Sequence, residues 1–420
     1  MRRRRRRGFM VILLTAVVVG CAAGAAEPAV PGGAAGDVRL LADELERIHP
    51  NPYHAVSREE FRRDVDELAA QADGLERDEL IVGLMRLMGL LGERDGHSGI
   101  YTLHPHPQPM HLYPVRVYWF ADGLTVVGGR NVDLGSKLVA IGGVPIDDVV
   151  PRVRPLITRD NKWSFRERIP YYLACAEVLH GLGLADAARA TFTFESAQGR
   201  REVAMTAVPA GQYASEFPYF WQPPAPPPSA PRPLWVRYRG TAQAVTTAQR
   251  GRVVYVAYTQ TTDSYDLSQR ILRLARKKAF RRLVVDIRQN GGGNNQKYAP
   301  LLQALAGKLV NRHTRPVLLT SRTTFSAAGN FAADVERFTR ARIVGEPPGG
   351  SPSQWGDFTE VTLPHVGLEA LVATEYVQSG RPGDTRAQLS PAVLVEASSK
   401  DWLAGRDPAL AVALGQGGTQ

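Results

Sequence analysis

Three neighbouring stretches decide the fold: LVVDIRQNGGGNN at residues 283–295, PVLLTSRTTFSAAGNFAADVERF at 316–338, and RIVGEPPGG at 342–350. The first two open with short apolar runs rich in β-branched residues, which are typical of strands covered on both faces. A glycine triplet follows the first run, and an amphipathic helix that begins at Ser326 follows the second. This alternation of strands and helices extends over residues 250–346 and predicts an α/β domain with a largely parallel sheet.

The same arrangement contains two parts that acyl transfer needs. Gly291, Gly292 and Gly293 leave backbone N–H groups uncovered after a strand, and such groups can stabilise an oxyanion. Ser326 at the start of a helix can supply a nucleophile. Each feature also has an ordinary structural interpretation, because glycine triplets mark turns and a serine at a helix start is a common N-cap. From these residues alone both interpretations stay open.

The composition excludes several classes of protein. The chain has 420 residues, 44% hydrophobic and 22% charged, which is typical of a globular protein with room for two or three domains. Its net charge is +10, but six of these charges are Arg2–Arg7, and removing them leaves +4 with no dense basic run. The sequence therefore does not predict a nucleic-acid partner. The nine histidines form no HExxH or Cys/His motif, so no metal site is predicted.

The first 21 residues read as a signal peptide. Arg2–Arg7 precede a short apolar run, Phe9–Val19, and the sequence then reaches Cys21. The end of this segment resembles a bacterial lipobox, which implies a lipid on Cys21 and a membrane-anchored protein of the cell envelope. Two alternatives are a chance cysteine beside an ordinary cleavage site and an uncleaved membrane helix, for which the run is short. Residues 22–36 predict a flexible tether.

The rest of the chain divides into three regions. Residues 37–98 carry apolar residues at helical spacing and predict a helical cap. Residues 99–233 form a β-rich and helical middle region that ends in a proline-rich linker. Residues 234–415 form the α/β core. The second cysteine, Cys175, has no partner once Cys21 is lipidated, so no intramolecular disulfide is predicted.

With these residues assembled, the chain resembles the serine peptidase family of C-terminal processing (tail-specific) proteases, tricorn core proteases and retinoid-binding-protein-like modules. The motifs that carry the resemblance are DGHS at 95–98, LVVDIRQNGGG at 283–293, TTFSAAG at 323–329, VGEPPGG at 344–350 and SPAVLVEASSKDWLAGRDPAL at 390–410. The resemblance implies a crotonase-like or ClpP-like α/β core behind the helical cap, and no cofactor. The segment GSKLVAIGGVPI at 135–146 resembles the last strands of a PDZ-like domain.

The resemblance also implies roles for individual residues. Ser326 corresponds to the nucleophile, with the N–H groups of Ala327, Gly292 and Gly293 as oxyanion donors. The Ser-Lys branch of the family has a lysine where this chain has Ser351, and a hydroxyl cannot serve as a general base near neutral pH.

The base is therefore expected from the histidine-using, tricorn-like branch, which matches His97. In that branch a carboxylate orients the histidine. Asp384 occupies the corresponding region, and Glu375 is the alternative. The branch also has a serine before its histidine, where this chain has Gly96, so any orienting role is absent or moves to Ser98.

These observations predict an exported, lipid-anchored serine peptidase that hydrolyses peptide or protein substrates. Ser326, His97 and Asp384 would form its catalytic set. Two alternatives remain from the sequence: a catalytically silent binding lipoprotein of the same fold, and an esterase-type acyl hydrolase with the same residues.

Overall fold

The computed structural model describes residues 32–277, 280–312, 314 and 316–416. The signal peptide, Cys21 and most of the predicted tether lie outside the described residues. Three parts follow one another along the chain: a helical cap, a middle region built on an antiparallel sheet, and a core built on a mostly parallel sheet. No helix among the described residues combines the length and apolar character needed to cross a bilayer.

The helical cap consists of α1 (Gly33–Ile48), α2 (Arg58–Gln71) and α3 (Arg77–Gly89). The apolar positions recur every three or four residues, and Leu41 and Leu45 of α1 are fully buried. The end of the predicted tether is corrected here, because residues 33–36 belong to α1. Their helical conformation is stabilised by burial of Ala34 and by Asp37, whose carboxylate accepts the N–H of Val366 at 2.8 Å.

The middle region contains two antiparallel sheets and four helices. Its strands are β1 (His111–Leu112), β2 (Val115–Phe120), β3 (Gly123–Gly129), β4 (Lys137–Ile141), β5 (Val144–Pro145), β6 (Arg189–Ser196), β7 (Gly199–Thr206) and β8 (Val208–Pro209). Its helices are α4 (Ile146–Val153), α5 (Lys162–Tyr172), α6 (Ala176–Gly181) and α7 (Ala210–Glu216). The main sheet has the order β2-β3-β4-β6-β7, with β5 paired to β4. The helix α5 matters most for the site, because the residues before it contact two loops of the core.

The core is a six-stranded sheet with the order β18-β13-β12-β11-β10-β9. Its strands are β9 (Gln243–Ala248), β10 (Val253–Tyr258), β11 (Arg282–Asp286), β12 (Val317–Thr320), β13 (Arg342–Gly345) and β18 (Val393–Leu394). All pairings are parallel except β9–β10, so the predicted parallel sheet is confirmed. The core helices are α8 (Tyr265–Arg276), α9 (Ala299–Ala306), α10 (Lys308–Asn311), α11 (Ala327–Phe338), α12 (Ser399–Leu403) and α13 (Pro408–Ala413).

An insertion between β13 and β18 joins the core to the cap. It forms two antiparallel pairs, β14 (Ser353–Gly356) with β17 (Glu375–Gln378) and β15 (Thr359–Leu363) with β16 (Leu368–Val372). The second pair packs on α1 and shares the hydrophobic core of the cap. Backbone hydrogen bonds of 2.9 Å also join Trp355 to Arg94 and Leu371 to Gly99. The segment 95–98 is therefore held against the core from both ends.

Candidate active site

Ser326 lies on a sharp turn between β12 and α11. Its backbone angles are φ 50° and ψ −131°, a left-handed conformation that is unfavourable for any residue except glycine. The side chain makes no capping hydrogen bond to the helix and is partly exposed, so the N-cap interpretation is wrong. A strained serine at a strand-to-helix turn, whose hydroxyl makes no hydrogen bond to any described residue, has the geometry of a nucleophile elbow.

Neighbouring loops hold this turn in its strained conformation. Phe325 donates its N–H to the carbonyl of Asn290 at 3.2 Å, and Thr324 donates its hydroxyl to the carbonyl of Ile287 at 3.0 Å. Gly350 donates its N–H to the carbonyl of Thr324 at 3.2 Å. The turn is thus fixed by the glycine loop after β11 and by the second glycine-containing loop after β13.

The glycine loop approaches Ser326 most closely at Gly292. A β-carbon at Gly292 would lie 2.7 Å from the Ser326 β-carbon, and φ there is 119°, so only glycine fits. The N–H of Gly292 donates to the Asn290 side chain at 2.9 Å. By contrast, none of the hydrogen bonds found within the described ranges uses the N–H of Gly293 or Ala327. Of the three predicted donors, Gly293 and Ala327 therefore keep an N–H group that is uncommitted among the described residues.

His97 lies against Phe325, the residue that precedes Ser326. Its ring stacks on Phe325 with 4.6 Å between ring centroids and 26° between planes, and 8% of the residue is exposed. Burial, followed by the nearby Arg168 charge, lowers the pKa of His97 to about 4, although Asp95 and Asp357 act in the opposite direction. The ring is therefore neutral near pH 7, the state in which it can accept a proton.

Asp384 is placed away from this pair. Its carboxylate accepts hydrogen bonds from the Arg386 side chain at 3.0 and 2.7 Å, and this contact lowers the pKa of Asp384. Glu375 is exposed on β17. In the part of the chain that the structure describes, neither carboxylate forms a hydrogen bond or an ion pair with His97. The buried Nδ1 of His97 likewise has no hydrogen-bond partner among the described residues.

The residues on either side of His97 concern one departure from the tricorn-like pattern, the absence of a serine before the histidine. A β-carbon on Gly96 would lie 3.0 Å from atoms of Asp160, Arg168 and Phe325, so a serine there would have to displace one of them. Ser98 is fully buried, and its hydroxyl oxygen accepts the N–H of Ala373 at 3.0 Å. Ser98 therefore anchors the loop to the insertion rather than orienting the imidazole.

One polar side chain beside Ser326 has no recognisable motif in the sequence. Gln354 lies on β14 and is buried, with its Nε2 3.0 Å from Asn330 and 3.4 Å from the carbonyl of Ser326. Its Oε1 has no described partner. Ser351, the residue at the position of the family's lysine, donates its hydroxyl to the carbonyl of Ala387. Ser351 is therefore a structural residue of the second glycine-containing loop.

Two histidines and an aspartate form a cluster beside His97, in which the aspartate belongs to the same loop as His97. The potential ligand atoms of His49, His54 and Asp95 lie within 4.8 Å of one another. The sequence does not predict this grouping, because the three residues are not close together along the chain. His49 Nδ1 accepts the N–H of Asn51 at 3.1 Å, which places the ring proton on Nε2, 3.1 Å from the Asp95 carboxylate. Metal binding at Nε2 would require that proton to leave. His49 Nε2, His54 Nε2 and Asp95 Oδ2 are buried and have no hydrogen-bond partner among the described residues, so the tautomer of His49 is the observation that argues against a metal here.

A cleft lies at the carboxyl ends of the parallel strands, beneath the proline-rich linker. Its wall includes Pro223, Trp235, Arg288, Gln289 and Trp402. Ligands of open α/β sheets bind outside the carboxyl ends of the strands, where this cleft and the Ser326 turn both lie.

Comparisons with known proteins connect this geometry to solved structures. Neither protein-family models nor curated protein sequences match the chain. A CPAF mutant matches with a TM-score of 0.62 and 12% identity over 92% of this chain and 99% of its own. Mature CPAF complexed with lactacystin matches with a TM-score of 0.56 and 13% identity over 89% and 95%. The photosystem II D1 C-terminal processing protease reaches a TM-score of only 0.41 at 14% identity, over 89% and 98%. The resemblance predicted from the sequence is thus confirmed at the level of the fold.

Proposed function

We propose that this protein is a serine hydrolase that cleaves peptide bonds, with Ser326 as nucleophile and His97 as general base and acid. The observation that carries the proposal is the strained turn at Ser326, because strain of this kind persists where a side chain must be presented for chemistry. The neutral, buried imidazole stacked beside that turn supplies a matching base.

In the proposed reaction, the Ser326 oxygen attacks the substrate carbonyl while His97 takes its proton. The carbonyl oxygen becomes an oxyanion, which the N–H groups of Ala327 and Gly293 stabilise. Collapse of this intermediate breaks the C–N bond, and His97 returns its proton to the leaving amine. A water molecule then gives a proton to His97 and attacks the acyl ester, and the departing Ser326 oxygen regains that proton.

The experiment that tests the proposal is labelling with a fluorophosphonate probe, followed by mass spectrometry of the adduct. Wild type should carry one adduct on Ser326, and both Ser326→Ala and His97→Ala should lose it. Ser353→Ala is the matched control, because Ser353 is buried close by and its hydroxyl has no described partner. Cleavage of a peptide library by wild type, compared with aryl esters, then separates a peptidase from an esterase. Turnover of esters alone would overturn the assignment to peptide bonds.

A catalytically silent binding lipoprotein is the second candidate, and one observation favours it. The carboxylate of Asp384 is committed to Arg386, so among the described residues His97 has no hydrogen-bonded carboxylate of the kind that a full triad would give it. An absence of any adduct on wild-type Ser326 would support this reading.

We also propose that the chain is exported and lipid-anchored through Cys21, because its first 21 residues match the lipobox pattern. The wild-type protein should then sediment with membranes and partition into detergent. Cys21→Ser should be released into the soluble fraction of the envelope, and equal membrane association of the two proteins would contradict the anchor.

A further inference from the structure

Asp160 connects the middle region to the loop that carries His97. The side chain is fully buried, and its Oδ1 accepts the N–H of Gly96 at 2.7 Å. Its backbone carbonyl accepts the N–H of Arg94 at 3.0 Å. The carbonyl of Gly96 in turn accepts a hydrogen bond of 2.6 Å from Arg168, so both backbone polar groups of the residue before His97 are held by the middle region.

The second oxygen of Asp160 holds a different loop. Its Oδ2 accepts the N–H of Ser351 at 3.1 Å. The neighbouring residue, Gly350, packs against the nucleophile, since a β-carbon there would lie 3.3 Å from the Ser326 nitrogen. The next side chain, Asn161, donates to the carbonyl of Gly349 at 3.0 Å. One carboxylate therefore joins the loop of the base to the loop that supports the nucleophile.

We propose that Asp160 is a positioning residue that holds the His97 loop and the Gly350–Ser351 turn in the register needed for proton transfer from Ser326. This inference rests on the proposed hydrolase function and extends it to a residue outside the core. Asp160 touches neither the substrate nor the reacting atoms, and it acts only through the two backbone N–H groups.

The clamp requires an ionised carboxylate, because each oxygen must accept one N–H group. Arg168 is the cation that faces Asp160, and Asp95 is the nearby anion. Burial raises the pKa of Asp160 to about 7, although the two N–H groups and Arg168 oppose this shift. As pH falls through about 7, the carboxyl takes a proton and one oxygen no longer accepts. The labelling rate of Ser326 should therefore decline across this range.

The test compares Asp160→Asn with wild type in fluorophosphonate labelling between pH 5 and 9. Asparagine keeps one acceptor and turns an NH₂ group toward the other N–H, so we expect labelling at pH 8 to slow at least tenfold. The pH step near 7 should vanish. Asp37→Asn is the matched control, because Asp37 is also buried and accepts a distant backbone N–H but lies in the cap. Its labelling should stay within twofold of wild type.

Hydrogen exchange of peptides covering 94–98 and 348–352 provides a readout independent of activity. Both should exchange faster in Asp160→Asn than in wild type, while Asp37→Asn should leave them unchanged. An Asp160→Asn protein that labels at the wild-type rate, or retains the pH step, overturns the inference. If wild type carries no adduct, the proposed function fails. Faster exchange at both loops would then still support the clamp, and unchanged exchange would refute it.

Arg168→Lys serves as a second variant in case Asp160→Asn does not fold. Lysine retains the charge but cannot span the carbonyls of Gly96 and Thr158, each 2.6 Å from the guanidinium. We expect slower labelling with a preserved step near pH 7, because Asp160 still titrates. If Arg168→Lys is labelled at the wild-type rate, the proposed dependence of labelling on the position of the His97 loop is contradicted.

Discussion

Replacing Ser326 with glycine should stabilise the protein while abolishing its chemistry. The backbone at Ser326, with φ 50° and ψ −131°, is a conformation that costs a residue with a β-carbon about 1–3 kcal/mol. Glycine escapes this cost but loses about 0.5–1 kcal/mol through its greater freedom in the unfolded chain. The Ser326 hydroxyl makes no hydrogen bond within the described ranges, so little else is lost. The net gain in the free energy of unfolding should be about 1 kcal/mol.

The assay is urea unfolding of wild type, Ser326→Ala and Ser326→Gly, with circular dichroism as the signal that monitors the unfolding. Alanine removes the hydroxyl but keeps the β-carbon, so the difference between the two variants isolates the backbone strain. Arg250→Gly is a useful control, since Arg250 has φ 55° in an exposed turn far from the site. A Ser326→Gly protein no more stable than Ser326→Ala would refute the argument that the nucleophile is held under strain.

Three further predictions concern the same site. Gly292→Ala should lower the labelling rate about a hundredfold or more and lower the free energy of unfolding by about 1–3 kcal/mol, because its new β-carbon would collide with Ser326. Gly291→Ala is the control, since a β-carbon there faces open space, and it should be close to wild type in both assays. Asp384→Asn should slow labelling less than tenfold, because the Asp384 carboxylate is paired with Arg386. A decrease in the labelling rate near 10⁴-fold would show that Asp384 does act on His97. In the Asp160→Asn variant, labelling should persist down to about pH 5 and fall as pH drops through about 4, because His97 must be neutral to accept a proton. A fall in the labelling rate near pH 6.5 instead would contradict the lowered pKa of His97.

The parallel core could be predicted from the sequence because its signals are local. Buried strands such as Val317–Thr320 are continuous apolar runs, and each is followed by a glycine loop or a helical period. Ser326 and His97, the proposed nucleophile and base, could likewise be selected, since they stand in short motifs whose order resembles that of a known family. The backbone strain at Ser326 could not be foreseen, because the hydrogen bonds that hold the turn come from two separate loops, one after β11 and one after β13.

The contacts that depend on distant residues escaped prediction. Asp384 lies in the expected region, but Arg386, two residues later, captures its carboxylate, and no sequence pattern distinguishes that outcome from a triad. Gln354 and Asp160 reach the site from an insertion strand and from the middle region, so their proximity is a property of the fold alone. The tether ends earlier than predicted because Ala34 and Ala35 are buried in the core of the cap, which a run of small residues does not reveal.

The attachment of the His97 loop to the inserted strands has a consequence for how activity arises during synthesis. His97 and Ser326 are more than two hundred residues apart, and the loop of His97 is fixed by Trp355 and Leu371, which are translated later than both. Contacts of such separation form slowly, because a long loop must close before they contribute. Before those later residues are made, the His97 loop lacks these contacts, and the cap lacks the strands β15 and β16 that share its hydrophobic core. Catalytic competence would appear only when the last third of the chain has docked, which delays hydrolysis until the protein is almost complete.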